Sequence, residues 1–298
     1  MCGIVGLLAK SEKLRNSLGR LATPMIDCMG TRGSDSAGLA VFHEPLDAAH
    51  RRFSLYVSDR HYDWQTFRDD FVLAADNDSE FHTVHNHATV ICDLDVASFT
   101  SWLSGSRPEV RLLSVGRSIG VYKDEGHPRD IAQRFGFADL KGTHAVGHTR
   151  MATESAVSPA HAHPFTAGED FCLVHNGSLS NPHSVRRKLE KKGITFETDN
   201  DAEAGCRFLE WRLSEGDSLD SALEMAFREL DGFYTFLMAT ADTLVLVRDG
   251  FACKPAVVAE TDAYVAVGSE FRSLAHLPAI EDANVFEPAP EQIYSWTV

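Results

Sequence analysis

The feature that most constrains the fold is the distribution of apolar runs. Runs of strand length stand at both ends of this 298-residue chain, and helical stripes lie between them. Residues 3–9 read as a buried strand. After residue 145, strands are expected at Ala145–His148, Phe171–His175, Tyr234–Thr240, Thr243–Val247, Ala256–Val258 and Tyr264–Val267, and helices at 182–192, 201–214 and 218–230. Asn181 before Pro182 suits an N-cap followed by proline at the first helical position. Leu219, Leu223, Ala226, Phe227 and Leu230 give the last helix a core-facing stripe. Strands bunched at both ends with helices between them suggest sheets stacked on one another and covered by helices.

Leu14, Leu18, Leu21, Met25 and Met29 recur at spacings of three and four, which predicts an amphipathic helix that Gly30 is placed to end. A polar loop, Arg32–Gly38, then leads into a strand over Leu39–Phe42. From about 45 to 140 the pattern loosens. Strand-like pieces appear at Phe53–Val57, Thr89–Ile91 and Arg111–Val115, with a helix expected over 128–135.

A formal net charge of −15 argues against nucleic-acid binding, which needs a basic face. The densest basic stretch, Arg186-Arg187-Lys188 with Lys191 and Lys192, reads as the solvated face of a helix. No apolar run reaches membrane-span length, and no basic region precedes the apolar start, so the expected location is cytoplasmic. The cysteines at 2, 28, 92, 172, 206 and 253 form no C-x-x-C pair, which indicates neither a zinc site nor a disulfide framework. Four or five of them are expected to be small buried apolar residues. His82, His85 and His87 lack a carboxylate or cysteine at a companion spacing, and no metal site is assigned to them.

Four features carry chemistry. Removal of Met1 would leave Cys2 with a thiol and a free α-amine on one residue, and that amine titrates at roughly 7.7–8.0, a useful base near neutral pH. In Gly147-His148-Thr149-Arg150-Met151-Ala152-Thr153, Arg150 stands just past a strand end, where it can grip a carboxylate with two parallel hydrogen bonds or simply form a surface ion pair. In His175-Asn176-Gly177, the Asn-Gly pair is either a turn or an oxyanion hole built from a side-chain amide and a backbone N–H. Asp201 and Glu203 open a helix, where acidic residues serve as caps or, alternatively, bind an ammonium group.

Together the opening Met-Cys-Gly-Ile-Val-Gly, the Arg32–Gly38 loop, His148–Thr153, His175–Gly177 and Asp201–Glu203 closely resemble the class II glutamine amidotransferases. The resemblance covers residues 1–42 and about 145–270. It implies a four-layer α/β/β/α sandwich of the N-terminal nucleophile hydrolase type, with two antiparallel sheets, as one domain over 2–298 with an insertion at about 45–140. It further implies that Cys2 attacks the glutamine amide with its own amine as base, and that Asn176 and Gly177 hold the oxyanion. Arg150 would bind the α-carboxylate and Asp201 the α-ammonium, Thr153 would line the pocket, and Arg32 would orient the nucleophile. No metal or organic cofactor is required for this half-reaction.

Two departures stand out. Many family members carry His-Gly where this chain has Glu154-Ser155, which bears on a loop over the pocket or on selectivity. The stretch between Val41 and Ala145 exceeds the spacing of shorter members, and an insertion that docks a partner is the expectation. Its segment Gly116–Val121 has no role that sequence reveals. The chain ends near the end of the glutaminase fold, so an ammonia acceptor is expected on another chain. The likeness is to the small amidotransferase subunit of glutamate synthase-like complexes such as N-methylglutamate synthase. Two alternatives stay open: an amidohydrolase of another γ-glutamyl amide, and a catalytically silent subunit that retains Met1.

Overall fold

The computed structural model describes residues 2–75, 79–152 and 157–298. Two antiparallel sheets form the centre. The larger runs, in spatial order, Asn284–Phe286, Val257–Glu260, Tyr264–Gly268, Gly3–Ala9, His144–Arg150, Ser36–Phe42 and Ile119–Glu125. The smaller runs Ile293–Thr297, Thr243–Arg248, Gly232–Ala239, Cys172–Leu179 and Phe165–Thr166.

Period-two alternation decides which side chains go where. Along Gly3–Ala9, Ile4 and Leu8 join Val146, Val174, Leu237 and Leu246 between the sheets, while Val5, Leu7 and Ala9 turn to the helix Leu18–Cys28 and the helix Pro128–Arg134. On the far side, Leu173, Phe236, Met238, Val245 and Val247 pack against helices Pro182–Glu190, Asp201–Ser214 and Leu219–Glu229. The result is the expected four-layer α/β/β/α sandwich.

Several local expectations change. The stripe from Leu14 to Met29 is not one helix: Glu12–Arg15 and Leu18–Cys28 are separated at Ser17, whose ψ of 9° lies outside the helical range. Gly30 sits inside a following 3₁₀ turn, Met29–Thr31, rather than ending the helix. Asn181 makes no side-chain cap bond; its amide donates to Glu229 O and its Oδ1 accepts from Asp231 N, fastening two helix ends together. The basic stretch is not simply solvated: Arg186 donates to Thr198 O at 2.8 Å and Asn200 O at 2.5 Å. Among the cysteines Cys92, Cys172 and Cys206 are buried, but Cys28 is half-buried and Cys253 exposed, because those two fall at a helix end and in a loop.

Within the stretch 45–140, a third sheet of four strands, Glu80–Val84, His87–Cys92, Arg51–Val57 and Val110–Gly116, carries its own core of Phe53, Phe67, Phe71, Phe99 and Leu103. Its helices Trp64–Ala75 and Val96–Ser106 were not legible as such in the sequence. Residues 119–134 belong to the sandwich instead: Ile119–Glu125 pairs along Ser36–Phe42. The turn between the two units, part of the unexplained 116–121 segment, is anchored by Asp170, whose carboxylate accepts from the backbone N–H groups of Arg117, Ser118 and Ile119. His87 packs its ring on Phe135 and Tyr56, and His82 lies on a separate, exposed strand. Among the described residues no helix is long and apolar enough to cross a membrane.

Four histidines titrate far below their ordinary range because burial disfavours the charged ring: the buried His87 and His148 at about 3, the half-buried His43 and the buried His144 at about 4. Their folded values lie below the unfolded one, near 6.5. The stability they contribute is therefore complete above pH 6.5 and is lost as pH falls toward 4 and below. Between pH 7 and 5 each is expected to cost up to about 2 kcal/mol. Urea unfolding at the two pH values checks this, and coincident midpoints would refute it.

Candidate active site

The site is built where the start of one sheet meets the middle of the other. Gly3 pairs with Thr149, so that Cys2 stands just before this pair and Arg150 just after it. Only glycine allows this approach: a Cβ at Gly3 would lie 2.7 Å from Met29 Cβ and 2.8 Å from Thr149 Oγ1. Cys2 itself is partly exposed. Its carbonyl accepts a hydrogen bond of 2.9 Å from Arg32 Nε, and Arg32 Nη1 donates to Glu270 Oε1 at 2.6 Å. The Arg32 guanidinium lowers the Glu270 pKa, with Arg272 adding to the effect. Arg32 is thereby clamped between the chain start and a residue 238 positions away.

Arg150 ends the strand His144–Arg150, buried and opposite Ser36. The loop before Ser36 folds back on it, since Asp35 N donates to Arg150 O at 3.0 Å and Asp35 Oδ2 accepts from Ala152 N at 2.8 Å. Thr153, Glu154 and Ser155 lie outside the described residues.

Asn176 and Gly177 do not form a turn. They continue the strand Cys172–Leu179, opposite Thr235 and Tyr234. Gly177 has φ 152°, and a Cβ there would fall 2.0 Å from Phe233 O, so no other residue fits. Asn176 is 2% exposed, and its Nδ2 has no acceptor among the described residues. A buried amide donor without a partner costs roughly 1–3 kcal/mol.

A histidine joins the two sheets here. His148 Nε2 lies 3.0 Å from the carbonyl of His175, the residue before Asn176. A carbonyl only accepts, so Nε2 carries a proton, and burial lowers the ring's pKa to about 3, which leaves it neutral near pH 7. Burial also lowers the His175 pKa, against the opposing pull of Asp201. Its Nδ1 stands 3.7 Å from Asp201 Oδ1, too long for a hydrogen bond. Asp201 begins the helix Asp201–Ser214; its Oδ2 accepts from Leu179 N at 2.8 Å.

The helix start is itself held firmly. Asn200 Oδ1 accepts from Ala202 N, Glu203 accepts from Glu197 N and Thr198 N, and Arg186 grips Thr198 O and Asn200 O. Glu203 thus ties the segment before the helix to its first turn. Arg186, Glu270, Asp35 and His148 as positioning groups were not legible in the sequence, because their partners are distant in the chain or are backbone atoms.

Chemically, the arrangement brings together a thiol at a partly open chain start, a buried amide on the facing sheet, Arg32 and Arg150, and the Asp201 carboxylate. A model of a glutamine amidotransferase domain matches residues 148–276. A glutamine amidotransferase-like protein of Rhizobium meliloti is 43% identical over 99% of this chain and 98% of its own length. A putative glutamine amidotransferase of Methanothermobacter thermautotrophicus is 33% identical, with 99% of each chain covered. The glutamine phosphoribosylpyrophosphate amidotransferase of B. subtilis shares the fold with a TM-score of 0.63 at 16% identity, over 99% of this chain and 49% of that one, so the chain spans about half of its length.

Proposed function

Because the chain belongs to the glutamine amidotransferase family, we propose that it hydrolyses L-glutamine to glutamate and ammonia through a thioester on Cys2 and delivers the ammonia to a partner synthase subunit. The observation that carries this reading is the buried Asn176 amide, without an acceptor among the described residues, on the strand facing the chain start.

In the proposed sequence the Cys2 α-amine, freed by removal of Met1, takes the thiol proton, and Sγ attacks the side-chain carbonyl carbon. The resulting oxyanion accepts hydrogen bonds from Asn176 Nδ2 and Gly177 N–H. The intermediate collapses as the protonated amine passes its proton to the leaving nitrogen, releasing ammonia. Water then attacks the thioester, with the same amine as base, and glutamate departs. Arg150 holds the α-carboxylate, Asp201 Oδ1 the α-ammonium, and Arg32 fixes the Cys2 carbonyl; Thr153 is assigned to the pocket wall by its place in the motif.

The test is a substrate panel. Glutamine should yield equimolar glutamate and ammonia, while larger γ-glutamyl amides should react more slowly; a preference for another amide favours the amidohydrolase reading. Asp201→Asn should raise KM for glutamine by about tenfold or more, because it removes a charge-assisted bond while an amide oxygen still meets Leu179 N. An unchanged KM would remove Asp201 from the ammonium site.

The acceptor is proposed to lie on a separate chain. A glutamate synthase-like subunit, as in N-methylglutamate synthase, is the proposed acceptor, and the 51–116 unit is proposed as its docking element. Co-purification with the chain, lost when that unit is removed while glutamine hydrolysis persists, is the expected result; joint loss of both counts against it.

A further inference from the structure

A cavity of about 690 Å³ separates the third sheet from the sandwich, and neither Cys2, Arg150, Asn176 nor Asp201 lines it. One wall is the strand Val110–Gly116. There Arg111 stands opposite Tyr56 and Ser114 opposite Ser54. Residues directly opposite share a face, and Ser54 Oγ accepts from Val121 N of the large sheet. Arg111 and Ser114 therefore stand on the face turned to the sandwich, away from the Phe53 and Leu55 core. The other wall brings Glu197, Thr198, Glu203 and Arg207, with Phe165 between the walls.

Three of the charged lining groups are already engaged. Lys123 Nζ donates to Ala162 O at 2.9 Å and Pro164 O at 3.1 Å. Glu203 accepts from two backbone N–H groups and the Thr198 hydroxyl. Glu169 takes a 2.5 Å bond from Arg51.

The remaining three are Arg111, Arg207 and Glu197, and they fit together loosely. Glu197 lies 3.9 Å from Arg111 and 3.8 Å from Arg207, and Glu203 lies 3.8 Å from Arg207. All three separations exceed hydrogen-bond length. Each guanidinium offers five N–H donors, and Arg207 Nε is buried without an acceptor among the described residues. The Ser114 hydroxyl, in a residue only 3% exposed, also lacks a partner. Leu113 and Phe165 supply an apolar surface beside these donors.

We propose that this cavity is a binding site for a small organic anion. Its carboxylate or phosphate group sits between Arg111 and Arg207, in the place the Glu197 carboxylate now approaches, and its apolar part lies on Leu113 and Phe165. The site is separate from glutamine chemistry and stands whether or not Cys2 is the nucleophile.

Titration calorimetry on the full chain tests it, with glutarate, phenyl phosphate and inorganic phosphate as probes. Saturable 1:1 binding of an organic anion, tighter than inorganic phosphate, is expected, and glutarate against phenyl phosphate distinguishes the carboxylate from the phosphate ligand. Glu197→Gln removes the competing carboxylate and should tighten binding about tenfold; Arg111→Gln should weaken it about tenfold. Arg111 is about half exposed, with 49% of its side chain accessible, so thermal melts should show that its replacement leaves the fold intact. Absence of saturable binding to both the wild type and Glu197→Gln overturns the proposal. So does equal or weaker affinity in Glu197→Gln, or indifference of binding to Arg111→Gln.

Discussion

Cys2→Ala should lower glutamine turnover by about 10⁴-fold or more, the scale on which loss of a covalent nucleophile is felt. The fold should not notice. Cys2 precedes the first strand and is partly exposed, and its one named tie, the carbonyl accepting from Arg32, is backbone and survives the change. A diazoketone analogue of glutamine should add once to the processed wild-type chain and not to the variant, as read by intact mass. A companion chain with a short N-terminal extension keeps the thiol but locks the α-nitrogen in a peptide bond. It should lose turnover to a similar extent, because the base is gone. Undiminished turnover in the extended chain would show that the proton goes elsewhere, and undiminished turnover in Cys2→Ala would remove the thioester altogether.

The second large effect is expected at Asn176, and it runs in opposite directions for rate and stability. Asn176→Ala should reduce kcat by about 10²–10³-fold with little change in KM, since an oxyanion donor acts only once charge has developed. The same change deletes a buried amide that has no acceptor among the described residues. Removing such a group relieves a penalty of roughly 1–3 kcal/mol, offset by a small loss of packing. The melting midpoint should therefore hold or rise while activity collapses. A midpoint that falls together with kcat would instead make Asn176 a structural residue.

Much of this was legible in the sequence, for identifiable reasons. The strands of the two central sheets alternate between faces that are both buried, so Ile4, Val5, Leu7 and Leu8 all had to be apolar. The helix over 201–214 was readable because its cap, its acidic first turn and its apolar positions agree. The residues of the third sheet were less readable, since strands such as Glu80–Val84 are largely exposed and carry no apolar alternation. At the site, the chemical groups could be named but their supports could not. Arg32 suggested orientation of the nucleophile, yet nothing in local spacing pointed to Glu270 as its partner. Asn176-Gly177 looked like a turn on local grounds, because Asn-Gly pairs favour reversals, whereas here Gly177 is needed where the strand presses against Phe233 O. Only long-range pairing separates these.

The chain leaves the large sheet at Phe42 and re-enters it at Ile119, and these two residues are paired neighbours. Everything between them departs from and returns to a single point on the sheet rim. For a protein engineer that point is a socket. The 43–118 excursion can be exchanged for a tight reversal or for a foreign module without lengthening any strand that carries Cys2, Arg150 or Asn176.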